Sequence, residues 1–245
     1  MELAGKVAVV TGASRGLGAG LAGHFAGSGL RVGACSRRAP ALAASDDVVA
    51  TEVDVTDAQS VDRFAAEVVD RLGPIDLWVN NAGVLEPVGP LRDLDPAEVD
   101  RHLAVNVGGV LHGVQAFVRH RRDHGGGGVC VNITSGAATS VRAGWGAYGA
   151  GKAAVDQLSR HAALEEAEDG IRVHALAPGV VATGMQELIR ATSVERFPDV
   201  ERFRAMKRDG RLSTPAHVAC WLLHLAFDPD AHTDEVVLRV PDEGS

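Results

Sequence analysis

Short apolar runs alternate with stretches of helical periodicity along almost the whole chain. Lys6–Thr11 (KVAVVT) is a valine-rich run followed by glycines and then a helical stretch, Leu17–Ser28. Arg31–Ser36, Val48–Asp54 and Ile75–Asn80 read as further strands, each short and largely apolar. Between the last two, Val61, Phe64, Ala65, Val68 and Leu72 recur at spacings of three and four. That pattern predicts a helix over Ala58–Leu72, with Asp57 placed as its N-cap. A long helix over Pro96–His124 then leads to a strand at Val129–Thr134, a helix over Tyr148–Glu168 and a strand at Arg172–Ala177. An irregular helical segment over about 184–209, a helix from Pro215 and a strand near Val236–Val240 complete the pattern.

Strands that are apolar throughout and separated by helices point to a parallel sheet covered on both faces. Right-handed crossovers turn this into an α/β fold: a single Rossmann-type, doubly wound parallel sheet of about seven strands, with its ligand at the carboxyl ends. The Gly125–Gly128 turn is too short to separate domains. Residues 1–245 therefore read as one domain, with 184–209 as a lid-like segment.

Composition narrows the function classes. The chain has 245 residues, 46% hydrophobic and 23% charged, which is a globular balance. A formal charge of −8 argues against a grip on nucleic acid. The run Arg119–Arg122 is followed at once by Asp123 and reads as a solvated helix end, with anion binding as the alternative. No apolar stretch approaches the ~18 residues of a membrane span, and a signal-peptide pattern is missing from the N-terminal residues. Three cysteines, Cys35, Cys130 and Cys220, show no CxxC spacing. A cytoplasmic protein without a metal site or membrane partner is expected.

Two constellations carry chemistry. Thr11–Gly18 (TGASRGLG) joins the first strand to the first helix, where glycines let the backbone approach a pyrophosphate at a helix N-terminus. With 29 glycines in the chain, this spacing is expected about 0.4 times by chance, so its position after a strand is the stronger argument. Asp54, at the end of the third strand, can meet an adenine amino group or simply form an Asx turn. Tyr148 is the chain's single tyrosine, and one of only three lysines, Lys152, lies four residues after it. Chance gives that coincidence roughly 1% of the time. On a helix the pair shares a face, and a cation beside a phenol lowers its pKa and makes it a usable acid–base. Ser135, just after the fifth strand, can hold a carbonyl oxygen in the same crevice; alone, it would be an ordinary cap or turn residue.

These residues, with DVT at Asp54–Thr56, NNAG at Asn80–Gly83, Asn106, ITSGAA at Ile133–Ala138 and the Pro178–Thr183 segment, resemble the short-chain dehydrogenase/reductases over the whole length. The resemblance implies Tyr148 as proton donor, Lys152 on the nicotinamide ribose, Ser135 orienting the carbonyl and Asn106 positioning a water relay. It implies a cofactor held by Gly12, Ser14, Arg15, Gly16, Leu17 and Gly18, by Ser36 and Arg37, and by Asp54 and Val55. Asn81, Ala82 and Gly83 would lie along the adenosine and ribose. Thr183 and the Val181 backbone would hold the nicotinamide carboxamide, with Pro178 and Gly179 also on the cofactor. Gly144–Tyr148, Pro178–Gln186 and Lys207–Leu212 are similar to the sepiapterin reductase and bacterial benzil reductase branch, with Gly184 where that branch usually carries an acidic residue. That likeness implies a small-molecule carbonyl substrate, a ketone or vicinal dicarbonyl, met by Ser135, Trp145, Tyr148, Met185, Gln186 and, at a pterin edge, Asp234. A 3-oxoacyl thioester is the enzymatic alternative, and a non-catalytic NADP-binding redox sensor the alternative of another class.

The second strand ends at Ser36 rather than at an acidic residue, with Arg37 next and Arg15 in the glycine loop. This predicts NADP(H) over NAD(H). The family habit of pairing its two long helices implies a homodimer or homotetramer.

Overall fold

The computed structural model describes residues 2–244. Alternate residues of the central strand β1 (Val7–Thr11) face two different cores. Ala8 and Val10 pack with Leu21 and Phe25 of α1 (Gly16–Gly27) and with Val218 and Leu222 of α8 (Pro215–Phe227). Val7 and Val9 pack with Val61, Phe64 and Val68 of α2 (Ala58–Leu72), Phe117 of α4 (Gly109–Asp123) and Val155 of α5 (Gly146–Glu165). Burial on both sides is why the strand sequences are apolar throughout rather than alternating.

Seven strands form one parallel sheet in the order β3-β2-β1-β4-β5-β6-β7. The remaining strands are β2 (Arg31–Ser36), β3 (Val48–Glu52), β4 (Leu77–Asn80), β5 (Val129–Ile133), β6 (Arg172–Ala177) and β7 (Val237–Arg239). The chain winds outward from β1 to β3, then crosses back to β4 and winds the other way. The crevice at the carboxyl ends of β1 and β4 is therefore the point where a doubly wound sheet takes its ligand. The predicted fold class is the observed one.

A buried polar chain supports that crevice from below. Trp78 Nε1 donates to Asn80 Oδ1 (2.7 Å), Asn80 Nδ2 to Asn132 Oδ1 (2.8 Å) and Asn132 Nδ2 to Ser159 Oγ (2.9 Å). Each bond replaces water for a group that would be costly to bury alone, and together they tie β4, β5 and α5. Gly113 of α4 lies so close to Asn80 that a Cβ there would collide with the amide.

The sequence reading of one helix over Pro96–His124 needs correction. The segment divides into α3 (Pro96–Leu103), a π-helical turn over Ala104–Gly108, and α4. Asn106 explains the break. Its Oδ1 accepts from Val84 N and its Nδ2 donates to Val84 O, both at 2.8 Å, so the helix carries an extra residue in one turn to keep this clasp. The lid-like segment resolves into α6 (Gly184–Ala191) and α7 (Val200–Arg208), with non-helical backbone between them. Cys35 and Cys130 lie buried in β2 and β5, as expected, and burial pushes the Cys35 thiol up to about 12. Among the described residues, no helix is long and apolar enough to cross a membrane.

Candidate active site

The glycine loop is shaped by close approach. Gly12 and Gly16 have φ of +70° and +60°, the left-handed region that favours glycine. A Cβ on Gly12 would lie 2.7 Å from Ala82 Cα, and one on Gly18 would collide with Gly12 O and Asn81 Nδ2. Asn81 Nδ2 donates to Thr11 O (2.9 Å), while Thr11 Oγ1 accepts from Asn81 N (3.0 Å) and Ala82 N (3.1 Å). The loop and the end of β4 are thus stitched together. At the start of α1, Arg15 makes no side-chain cap, and the first turn holds no acidic residue. Its N–H groups are left to an anion, the donor set that a dinucleotide pyrophosphate requires.

From this loop a cleft of about 960 Å³ runs along the carboxyl ends of the strands. Ser14, Arg15 and Leu17 line it with the loop glycines. Ser36, Arg37, Asp54 and Val55 form one end, Asn81–Gly83 the middle, and Ser135, Tyr148, Lys152, Pro178, Gly179, Val181 and Thr183 the wall beyond. Trp145, Met185 and Gln186 line the far end. Asp54 forms the Asx turn that was its alternative reading: Oδ1 accepts from Thr56 N (3.0 Å) and Thr56 Oγ1 (2.8 Å).

Two residues singled out from the sequence do not line the cleft. Asn106 is fully buried, and its amide is spent on Val84 and on His102 Nε2 (2.8 Å). Its side chain therefore braces the π turn and does not face the cleft. Asp234 is exposed and precedes β7. Val237 pairs with Ala175, midway along β6, so Asp234 sits at the amino edge of the sheet, across from the crevice. This placement gives a pterin anchor at Asp234 no support. The neighbouring Thr233 Oγ1 caps Glu235 N at 3.1 Å, an ordinary turn.

The chemical centre gathers on α5 and the end of β5. Tyr148, buried to 7% exposure, lies beside Ser135 on the cleft wall, and the Ser135 side chain opposes the rise of its pKa. Lys152 Nζ donates to Ile133 O (2.7 Å) and lies 5.8 Å from the centre of the Tyr148 ring. Burial is the larger influence and raises the Tyr148 pKa, so the phenol stays protonated at neutral pH. Burial pushes Lys152 down to about 8, opposed by the Asp156 carboxylate, so it remains mostly cationic. The arrangement can deliver a proton from an oxygen that a neighbouring cation then stabilises.

Sequence reasoning missed several residues here. His102 is buried edge-on to Tyr148 at 6.2 Å between ring centres, with Nδ1 2.7 Å from Glu86 O; burial holds its pKa low. Arg38 extends the arginine pair at the end of β2, and its adjacency to Arg37 was the available signal. At the far end Trp145 stacks on Phe197 (4.7 Å between centres, 4° between planes) and tilts against Phe203 at 5.3 Å. Trp145 Nε1 and Gln186 Oε1 are buried without a hydrogen-bond partner. Phe203 lines the cleft and Phe197 backs Trp145 only through the fold of 184–209, so no spacing announced them.

The family model described as short chain dehydrogenase matches residues 6–193. A sorbitol dehydrogenase of Cereibacter sphaeroides is 39% identical over 74% of this chain and 72% of its own length. A benzil reductase of Bacillus subtilis that forms (S)-benzoin is 31% identical over 89% of this chain and 91% of its own. Among solved structures, a 3-ketoacyl-(acyl-carrier-protein) reductase from Brucella melitensis complexed with NADH superposes with a TM-score of 0.84 at 30% identity, covering 98% of both chains. This match, with the sheet order and the cleft described above, shows that the chain belongs to the short-chain dehydrogenase family of oxidoreductases.

Proposed function

We propose that this protein is an NADPH-dependent carbonyl reductase acting on ketones and vicinal dicarbonyls that carry an aromatic arm. The observation that carries the reading is the Ser135–Tyr148–Lys152 cluster, set in a cleft that begins at the glycine loop and ends at an aromatic wall. When bound, a reduced nicotinamide supplies the hydride. The N-terminus of α1 and the glycine loop hold the pyrophosphate. Asp54 and Val55 border the adenine, Asn81–Gly83 the ribose, and Val181 and Thr183 the carboxamide.

Arg15, Arg37 and Arg38 surround the place of a 2′-phosphate. Ser36 Oγ donates to Arg38 O (2.6 Å) and fixes that turn, while no carboxylate extends from the end of β2 to claim a ribose hydroxyl. Ser135 and Tyr148 bond the substrate carbonyl oxygen. Tyr148 gives it a proton as hydride arrives at the carbon, and Lys152 stabilises the phenolate left behind. Asn106 contributes by clasping the π turn beside Lys152, not through a free amide.

The aromatic wall favours a flat substrate, with Trp145, Met185 and Gln186 selecting it. The benzil reductase likeness supports a diketone. With Asp234 outside the cleft, the pterin variant loses its anchor. An intact proton-donating cluster opposes a purely sensing role. Exposed Leu111 on α4 and Leu164 on α5 favour the homodimer or homotetramer read from the sequence, which light scattering would measure.

The test is cofactor oxidation with benzil, 1-phenyl-1,2-propanedione, a pterin ketone and an acetoacetyl thioester. NADPH should exceed NADH in kcat/KM by about tenfold or more, the scale of one charge-assisted bond. The aromatic diketones should lead. Equal use of both cofactors would overturn the NADPH assignment, and a leading thioester would overturn the substrate assignment. No turnover of any carbonyl would overturn the catalytic reading.

A further inference from the structure

We propose that Arg142 forms an anion subsite at the far end of the cleft, so that the substrate carries a carboxylate or similar planar anion beyond its aromatic ring. The inference deepens the carbonyl-reductase reading and rests on it for the position of the reacting carbonyl.

Arg142 lines the cleft, and its side chain is only 17% exposed. Its guanidinium carbon lies 6.0 Å from the Trp145 ring centre and 5.9 Å from that of Phe203, so two aromatic rings hold the cation. Nη1 donates to Asp199, at the start of α7. Among the described residues this is its one polar contact, which leaves the Nε and Nη2 N–H groups without a partner. That edge is the fork with which arginine binds a carboxylate through two parallel bonds.

The charges around it are few. Arg202, a turn further on in α7, also lines the cleft, is exposed and makes no ion pair among the described residues. Glu86 is the acidic residue on the lining at this end, and it is exposed. Asp199 is itself 46% exposed and does not line the cleft. A substrate that was apolar at this end would leave a largely buried guanidinium facing it with that edge unpaired, which a hydrophobic side chain would avoid.

The spacing fits one aromatic ring. The Trp145 ring centre lies 5.5 Å from the Tyr148 ring centre and 6.0 Å from the Arg142 guanidinium carbon. Tyr148, Trp145 and Arg142 all line the cleft, so a one-ring ligand with its carbonyl at Tyr148 and its ring against Trp145 has Arg142 within reach of a distal substituent. A purely structural use of Arg142, as a latch between the loop before α5 and α7, predicts different behaviour. Loss of a latch loosens the pocket for every ligand alike, and freeing the arginine from Asp199 harms binding rather than helping it.

The experiment compares acetophenone with 4-acetylbenzoate, the same aryl ketone without and with a para carboxylate. Calorimetry measures the affinity of each for the enzyme–NADP⁺ complex, so the readout does not require turnover. The parent should bind 4-acetylbenzoate at least about tenfold more tightly, the scale of a hydrogen bond to a charged group. Arg142→Gln should bring the ratio of the two affinities near one, and Arg142→Lys, which keeps the charge without the fork, should leave it between. Asp199→Asn should raise the ratio by removing the competing carboxylate. A parent ratio near one, or equal losses for both probes in Arg142→Gln, would overturn the subsite. Should Arg142→Gln not fold, Asp199→Asn decides alone, and a ratio that stays level or falls overturns it. If the affinities follow the expected pattern while NADPH reduces neither probe nor any diketone, the carbonyl-reductase reading fails and the subsite stands.

Discussion

The two ends of the cleft are made of different material. The glycine-loop end is backbone held at contact distance: Gly12 against Ala82, Gly18 against Gly12 and Asn81, with Thr11 and Asn81 stitching the strands together. The substrate end is packed side chains: Met185 and Phe203 come from two short helices, Phe197 from the backbone between them and Trp145 from the residue before α5. Backbone at contact distance admits one shape of ligand, here a cofactor common to many enzymes. An aromatic stack on a lid admits variation by changing one side chain, and substrate preference can diverge there without disturbing the rest. Tyr148 stands where the two ends meet, and the first two predictions bear on whether they are independent.

The largest effect should come from Tyr148→Phe. The ring stays and the donor goes, so kcat/KM for a diketone should fall by ~10²-fold or more, the usual scale of general acid catalysis. The NADPH dissociation constant, measured by fluorescence, should change less than about threefold. Turnover within a few-fold of the parent would remove Tyr148 from the chemistry.

Next comes Gly18→Ala. The added methyl would collide with Gly12 O and Asn81 Nδ2, backbone and a braced amide that cannot yield. Overpacking of this kind costs about 1–3 kcal/mol. A lowered melting temperature and weakened NADPH binding are expected, with the order of preference among diketones unchanged. A reordered preference would mean that the two ends are mechanically coupled.

A smaller effect is expected from Trp145→Phe, which keeps a stacking ring and removes the unpaired indole N–H. If a second carbonyl of the substrate accepts from that donor, KM for diketones should rise about three- to tenfold, the worth of one neutral hydrogen bond. Simple aryl ketones should be affected less, and NADPH affinity should hold. Equal changes for diketones and monoketones would assign Trp145 to packing alone.

The same contrast explains what could be read from sequence. The strands and the cofactor end were legible because β1, the glycines and Asp54 act locally, each at a strand end in the order the chain visits them. Tyr148 and Lys152 were legible because one helical turn joins them. The π turn was hidden, since Asn106 bonds to Val84, 22 residues away, and periodicity carries no trace of that clasp. Arg142, Phe197 and Phe203 meet only after 184–209 folds over the cleft. Asp234 was misplaced because its neighbourhood in sequence resembles that of an anchor, whereas the direction of β7 sends it to the opposite edge of the sheet.

The smallest effect should be a pH limb that belongs to the junction. Burial lowers Lys152 to about 8 and raises Tyr148, with Ser135 and Asp156 opposing the two shifts. Reduction needs the phenol protonated and the ammonium charged, and both conditions hold below pH 8. As pH rises through about 8, Lys152 loses its proton first and no longer stabilises the phenolate that forms when Tyr148 gives up its proton. kcat/KM should therefore be nearly level from pH 6 to 7 and fall a few-fold by pH 8.5, with an apparent pKa that belongs to the coupled pair. His102 faces Tyr148, and burial lowers its pKa from the ordinary imidazole range, away from the limb near 8, so it should not contribute to that limb. Lys152→Arg separates the assignments, because a guanidinium keeps its charge throughout. Whatever activity this variant retains should lose the limb near 8. A limb that persists unchanged would place the titration on another group and leave Lys152 with ribose binding alone.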